Sequence, residues 1–120
     1  MSNGHTITIN PTDQHVVVRI DGVTVAESDR AVVLEETGLP PRYYLPRDDV
    51  RFELLQRTDN STACPFKGQA SYWSVVIGDK VHDNIVWTYE EPIPSAEPIT
   101  GLVSFYNERV ELSVGDAVRS

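Results

Sequence analysis

Asp21-Gly22, standing between Val16–Ile20 and Val23–Ala26, most constrains the fold of this chain. Both flanks are rich in β-branched residues, which lose side-chain freedom in a helix and pack well on a pleated surface. An Asp-Gly pair tolerates the two positive-φ positions of a two-residue turn whose twist matches that of its strands. The segment therefore predicts a tight β-hairpin.

The same grammar runs along the rest of the chain. Thr6–Ile9 reads as a strand, and so does Ala31–Leu34, because Val32 and Val33 are β-branched; the alternative is a short helix capped by Ser28 and running to Glu36. Gly38, Pro40 and Pro41 break the chain before a short strand over Arg42–Leu45, which Pro46 stops ahead of a turn near Asp48. Phe52–Leu55 is expected as a strand. Thr58–Gly68, polar and holding Asn60, Ser61, Pro65 and Gly68, is expected as a loop that carries Cys64 to an exposed turn. Ala70–Ile77 is the clearest strand, followed by a Gly78-Asp79 turn and short returns over Lys80–His82 and Ile85–Tyr89. Pro92, Pro94 and Pro98 predict an extended connection, and Gly101–Val110 and Glu111–Val114 the closing strands. Almost no helical period interrupts this pattern. It predicts an all-β, compact single domain over residues 1–120, built of short antiparallel strands as packed sheets or a partly closed barrel, with little helix. A chain of 120 residues suits one core, since such a domain buries about two-thirds of the surface its unfolded form exposes.

The net charge of −8 sets the class of partner. Binding to phosphate backbones rests on clustered Lys and Arg, so no nucleic acid partner is expected, and anionic membranes are disfavoured too. Small anions remain open, because one basic pocket outweighs a diffuse field locally. Cys64 is the only cysteine, which rules out an internal disulfide and zinc sites built on Cys-x-x-Cys pairs. No stretch approaches the roughly 20 apolar residues of a membrane helix, and the start lacks a basic segment followed by an apolar run. A cytoplasmic protein with no membrane partner is expected. His5, His15 and His82 are too scattered to predict a metal site. The acid pairs Glu35-Glu36, Asp48-Asp49 and Glu90-Glu91 read as solvated or as turn caps, since neighbours on a strand point apart. Neither a phosphate-binding Gly-rich loop nor a Gly-x-Ser-x-Gly elbow is present, so no cofactor is expected.

Aromatic and basic residues gather in Arg42-Tyr43-Tyr44, Cys64-Pro65-Phe66-Lys67-Gly68, Tyr72-Trp73, Trp87-Thr88-Tyr89 and Phe105-Tyr106. Large aromatics commonly fill the core of a small β domain, the reading favoured for Phe66, Trp73 and Phe105. Strand alternation turns Tyr43 away from Arg42 and Tyr44, turns Tyr72 away from Trp73, and sets Trp87 and Tyr89 on one face. An aromatic face near Arg42 and Lys67 suits a planar or anionic small molecule through stacking and charge-assisted hydrogen bonds. Cys64 precedes Lys67 by three residues, and a nearby ammonium raises the thiolate fraction of a thiol. A catalytic cysteine also needs a positioned base, and none of the three histidines lies in a comparable setting, which favours a structural thiol.

Read in order, these stretches resemble the domain-of-unknown-function family 427 (DUF427), a group of small, largely bacterial proteins. The resemblance rests on Arg42-Tyr43-Tyr44-Leu45-Pro46-Arg47-Asp48-Asp49-Val50, Thr62-Ala63-Cys64-Pro65-Phe66-Lys67-Gly68 with Tyr72-Trp73, Ile85-Val86-Trp87-Thr88-Tyr89 ahead of Pro92, and Gly101-Leu102-Val103-Ser104-Phe105-Tyr106. It covers the chain from about the first hairpin to Val110. It implies a β fold similar to the Mss4-like group, without the zinc that paired cysteines hold in that group's namesake. The family also carries a nucleotidyltransferase-like label, for which this chain lacks a Gly-Ser motif with following paired acids. The resemblance implies a site drawn from Arg42, Tyr44, Cys64, Lys67, Tyr72, Trp87 and Tyr106, with no established roles.

Three functions follow as expectations. In the first, a small planar or anionic ligand binds in an aromatic pocket, held by Arg42 and Lys67 and walled by Tyr44, Tyr72, Trp87 and Tyr106. In the second, the domain is an enzyme with Cys64 as nucleophile or a nucleotidyltransferase-like activity; in the third, it is a protein-interaction module. Oligomeric state stays open.

Overall fold

The computed structural model describes residues 6–65 and 67–115. It contains β1 (Ile7–Pro11), β2 (His15–Ile20), β3 (Val23–Ser28), β4 (Val32–Glu36), β5 (Arg42–Leu45), β6 (Leu55–Cys64), β7 (Gly68–Ile77), β8 (Lys80–Thr88), β9 (Val103–Phe105) and β10 (Glu111–Gly115). Single 3₁₀ turns occupy Arg47–Asp49, Phe52–Leu54 and Asn107–Arg109, with a kinked 3₁₀ segment over Pro94–Ile99. Seven strands form one antiparallel sheet in the order β1-β4-β5-β9-β8-β7-β6, and β10-β2-β3 form a second. The architecture is all-β with little helix, and the large sheet does not close into a barrel. Among the described residues no helix is long and apolar enough to cross a membrane.

The Asp21-Gly22 hairpin forms as its residues dictate, with both turn residues at positive φ (54° and 79°). The segment after Ser28 is the strand β4 rather than a helix, and Ser28 Oγ accepts from the Arg30 amide in the turn leading to it.

Six expectations fail for tertiary reasons. Thr58–Gly68 is no loop: β6 runs to Cys64 and pairs with β7 along the sheet edge. Its polar residues are exposed because the strand lies at an edge, and composition alone does not separate an edge strand from a loop. Cys64 is accordingly half-buried at a strand end instead of exposed on a turn. Phe52–Leu55 is not a strand; Phe52–Leu54 makes a 3₁₀ turn that sets the Phe52 ring edge-on to Trp73, centroids 5.7 Å apart. The two returns after Gly78 are one strand, β8, bent at Asn84, whose φ of 54° and amide bond to Ser74 Oγ mark the irregularity. The proline segment 92–98 is not simply extended, since Pro94 opens the 3₁₀ segment that buries Ala96 and Ile99. Between Gly101 and Val110 only Val103–Phe105 is strand, the stretch flanked by β5 and β8.

Two clusters fill the interior. Val16, Val18, Val25, Val75, Val86 and Val103, with Trp73 and Phe105, pack between the two sheets. Each such side chain contributes about 1.5–3 kcal/mol by leaving water. The opposite face of the large sheet carries Leu34, Tyr44, Tyr72, Trp87 and Tyr89, with Ala96 and Ile99 of the 3₁₀ segment laid against them. Gly68 makes that closure feasible. At φ 122°, a Cβ there would sit 3.1 Å from the Pro92 backbone, where the Lys67 carbonyl accepts from the Ile93 amide.

Candidate functional site

Strand register builds the second face. Tyr72 pairs with Trp87, Trp87 with Ser104, Ser104 with Tyr44, and Tyr44 with Val32, so one row crosses five strands with its side chains on one side of the sheet. Tyr43, Trp73 and Phe105 point to the other side and join the inter-sheet core, as alternation requires. Phe66, expected in the core, lies outside the described residues.

Tyr44 is fully buried, and its Oη accepts a 3.1 Å hydrogen bond from Trp87 Nε1–H, the rings meeting edge-on at 6.3 Å. Tyr106 follows β9 and lies against Trp87 with centroids 4.6 Å apart. The Arg42 guanidinium sits over both rings, 5.5 Å from the Trp87 centroid and 5.4 Å from that of Tyr106. Its Nη1 donates to Glu108 Oε1 at 3.1 Å. Tyr72 completes this end: its hydroxyl bonds Thr62 Oγ1 at 2.9 Å, and its phenol acts electrostatically on that of Tyr106.

The other end is an ion pair. Lys67 Nζ donates to Glu36 Oε1 at 3.1 Å, with side chains only 11% and 7% exposed, and lies 5.9 Å from the Tyr89 ring centroid. Lys67 follows β6, and three strands separate β4 from β7 in the sheet. On a flat sheet that separation is about 19 Å, so the contact requires the sheet to coil over its aromatic face. Cys64 ends β6 beside this pair, and its carbonyl accepts the Lys67 amide. Its thiol is close enough to Tyr44 and Tyr89 for a thiolate there to raise both phenols.

Burial is the main cause that drives the Tyr44 and Tyr89 hydroxyls far above the ordinary phenol range. Tyr106 is raised as well, first by burial and then by the Tyr72 phenol, against the opposing pull of Arg42. Tyr44, Tyr89 and Tyr106 are therefore neutral hydrogen-bonding groups at physiological pH, not phenolate bases. The hydrogen bond Glu108 takes from its own backbone, and then that from Arg42, hold its carboxyl below the usual range.

Arg42, Tyr44, Tyr72, Trp87 and Tyr106 thus stand in one connected group, with Lys67 and Cys64 on the same face toward Glu36. The aromatic rings pack on one another and on Arg42. Glu36, expected with Glu35 as a solvated acid pair, is instead buried against Lys67 because the curled sheet covers it, and Glu108 and Thr62 escaped sequence reasoning. Glu36 carried a signal, since it shares a strand face with Leu34; the chain that brings Glu108 to Arg42 is 66 residues away and left none. His15 and His82 serve elsewhere: His15 bonds Asp29 and Glu27, which together raise its pKa, and His82 bonds Asp21 at 2.9 Å. Among the described residues no group of three or more His, Cys, Asp and Glu is gathered tightly enough to hold a metal ion.

The sequence profile of the domain of unknown function DUF427 matches residues 8–116, nearly the whole chain. The chain belongs to the DUF427 family. A search of curated proteins finds no match to it. Every residue placed on the aromatic face above lies inside the matched span, so this DUF427 domain carries the whole candidate site within its family region.

Proposed function

We propose that this DUF427 domain binds a small anionic or planar organic molecule at the Arg42 end of its aromatic face. The observation that carries the reading is the state of Arg42. Its side chain is 17% exposed and laid on the faces of Trp87 and Tyr106, yet its carboxylate partner, Glu108, is 56% exposed on a surface turn. A guanidinium immobilised on aromatic rings has lost most of its ordering cost in advance, whereas an exposed ion pair contributes only about 0–1 kcal/mol and yields readily to a ligand. Tyr106 and Tyr72 supply neutral hydroxyls beside it, and Trp87 and Tyr44 act as a rigid floor. Lys67, matched by Glu36, tethers the far end of the face. An acidic surface argues against nucleic acid as partner, and the lone cysteine supports a cytoplasmic setting. Bacterial origin and kinship with the Mss4-like group belong to the same proposal and rest on the motif residues quoted above.

The test is a titration of the ¹⁵N-labelled chain with a panel of small organic acids and aromatic heterocycles. Binding at this end shifts the Trp87 indole N–H resonance, and Arg42→Gln abolishes the shift. Shifts confined to other surfaces, or unchanged in R42Q, would overturn the reading. If instead no compound binds and gel filtration shows concentration-dependent association, the interaction-module reading takes over.

A second reading has its own observation. Cys64 shares a strand face with Thr62, which bonds Tyr72, and its carbonyl accepts the Lys67 amide, so a thiol nucleophile there would act beside the same aromatic face. Alkylation rates across pH decide it: an apparent thiol pKa at or above about 8.5 removes its basis.

A further inference from the structure

Glu108 stands where a ligand's carboxylate would stand. It is carried on the three-residue turn Asn107–Arg109, tied down by Asn107 Nδ2 donating to the Pro41 carbonyl and Arg109 Nη1 donating to that of Asp83. Its own side chain makes a single-nitrogen contact with Arg42 and also lines a surface cleft of about 350 Å³ that Arg19, His82 and Val110 share. A guanidinium offers five donors in a fork that matches a carboxylate through two parallel bonds. One Nη1 contact leaves that fork incompletely used.

We propose that Glu108 is an internal stand-in for the carboxylate of a small organic acid, which binds by displacing it and engaging Arg42 with both oxygens. This rests on the reading of Arg42 as the ligand's anchor. A monoanionic carboxylate is favoured over phosphate because the place is already held by a carboxylate. The cleft alongside also presents Asp21 and Glu111, which repel a dianion more strongly. An internal competitor lowers apparent affinity by the extent of its own occupancy. For an exposed pair that amounts to about two- to sixfold.

The experiment titrates the ¹⁵N-labelled full chain with sodium phenylacetate and, separately, with inorganic phosphate, in the wild type and three variants. Glu108→Gln removes the competitor. Glu111→Gln removes the same charge from the same cleft without touching Arg42, and Arg42→Gln removes the anchor. The expected result is that E108Q binds phenylacetate about two- to sixfold more tightly than wild type, E111Q matches wild type, and R42Q loses binding. Should R42Q melt early, Arg42→Lys keeps the charge without the fork and is expected to weaken phenylacetate binding at an unchanged melting temperature. Equal affinity in E108Q and wild type, an equal gain in E111Q, or tighter binding of phosphate than of phenylacetate overturns the stand-in while leaving Arg42 as anchor. Neither probe binding any of the proteins, or R42Q and R42K both binding as well as wild type, overturns both readings.

Discussion

The two faces of the large sheet solve the same burial problem differently. One is covered by a second sheet and is filled by Val16, Val18, Val75, Val86, Val103, Trp73 and Phe105, with charge reaching it only as the Arg47 and Arg57 guanidiniums over the Trp73 ring among the described residues. The other is covered by the sheet's own curl and a short 3₁₀ segment, and it encloses phenol hydroxyls, an indole N–H, Arg42 and the Lys67–Glu36 pair. A dedicated covering layer lets a face fill mainly with apolar side chains. A face closed by its own edges needs polar ties between strands far apart in the sheet, and those ties are what give it chemistry. Buried polar groups survive only if they are paired.

The sharpest test of the contrast is cavity formation between the sheets. Phe105→Ala is expected to cost about 3–5 kcal/mol in urea unfolding, since neither sheet can collapse into the space. A loss below about 1 kcal/mol would mean that the two layers are not rigidly packed. Breaking the ion pair comes next. Lys67→Ala removes the Lys67 ammonium from the buried Glu36 carboxylate and is expected to cost roughly 3 kcal/mol, while the double variant Lys67→Met with Glu36→Leu recovers most of it. Failure of the double variant to recover would show that the pair does more than satisfy itself. Tyr44→Phe is the smallest change, deleting only the acceptor of the Trp87 N–H. It is expected to cost about 1–2 kcal/mol and to shift the indole resonance. No effect on either would place solvent at Trp87 and erase the distinction between the faces.

Which residues share a face was legible in the sequence; which distant residues meet on it was not. Alternation alone separated Tyr72 from Trp73 and Tyr43 from Tyr44, because side chains on a strand point to opposite sides whatever the partner strand. The Asp21-Gly22 hairpin and the β7 strand followed from local chemistry in the same way. The polar edge strand β6 and the 3₁₀ turn at Phe52 were misread because the pairing with β7 and the packing on Trp73 override local composition. Local chemistry thus fixes an all-β domain and the side to which each strand turns its aromatic residues. The convergence of the aromatic residues on one face, and the meetings of Glu36 with Lys67 and of Glu108 with Arg42 across 31 and 66 residues, come from the assembled sheet. The reason is physical: local propensity acts through neighbouring backbone, whereas strand order and sheet coiling come from how all ten strands bury their surfaces together.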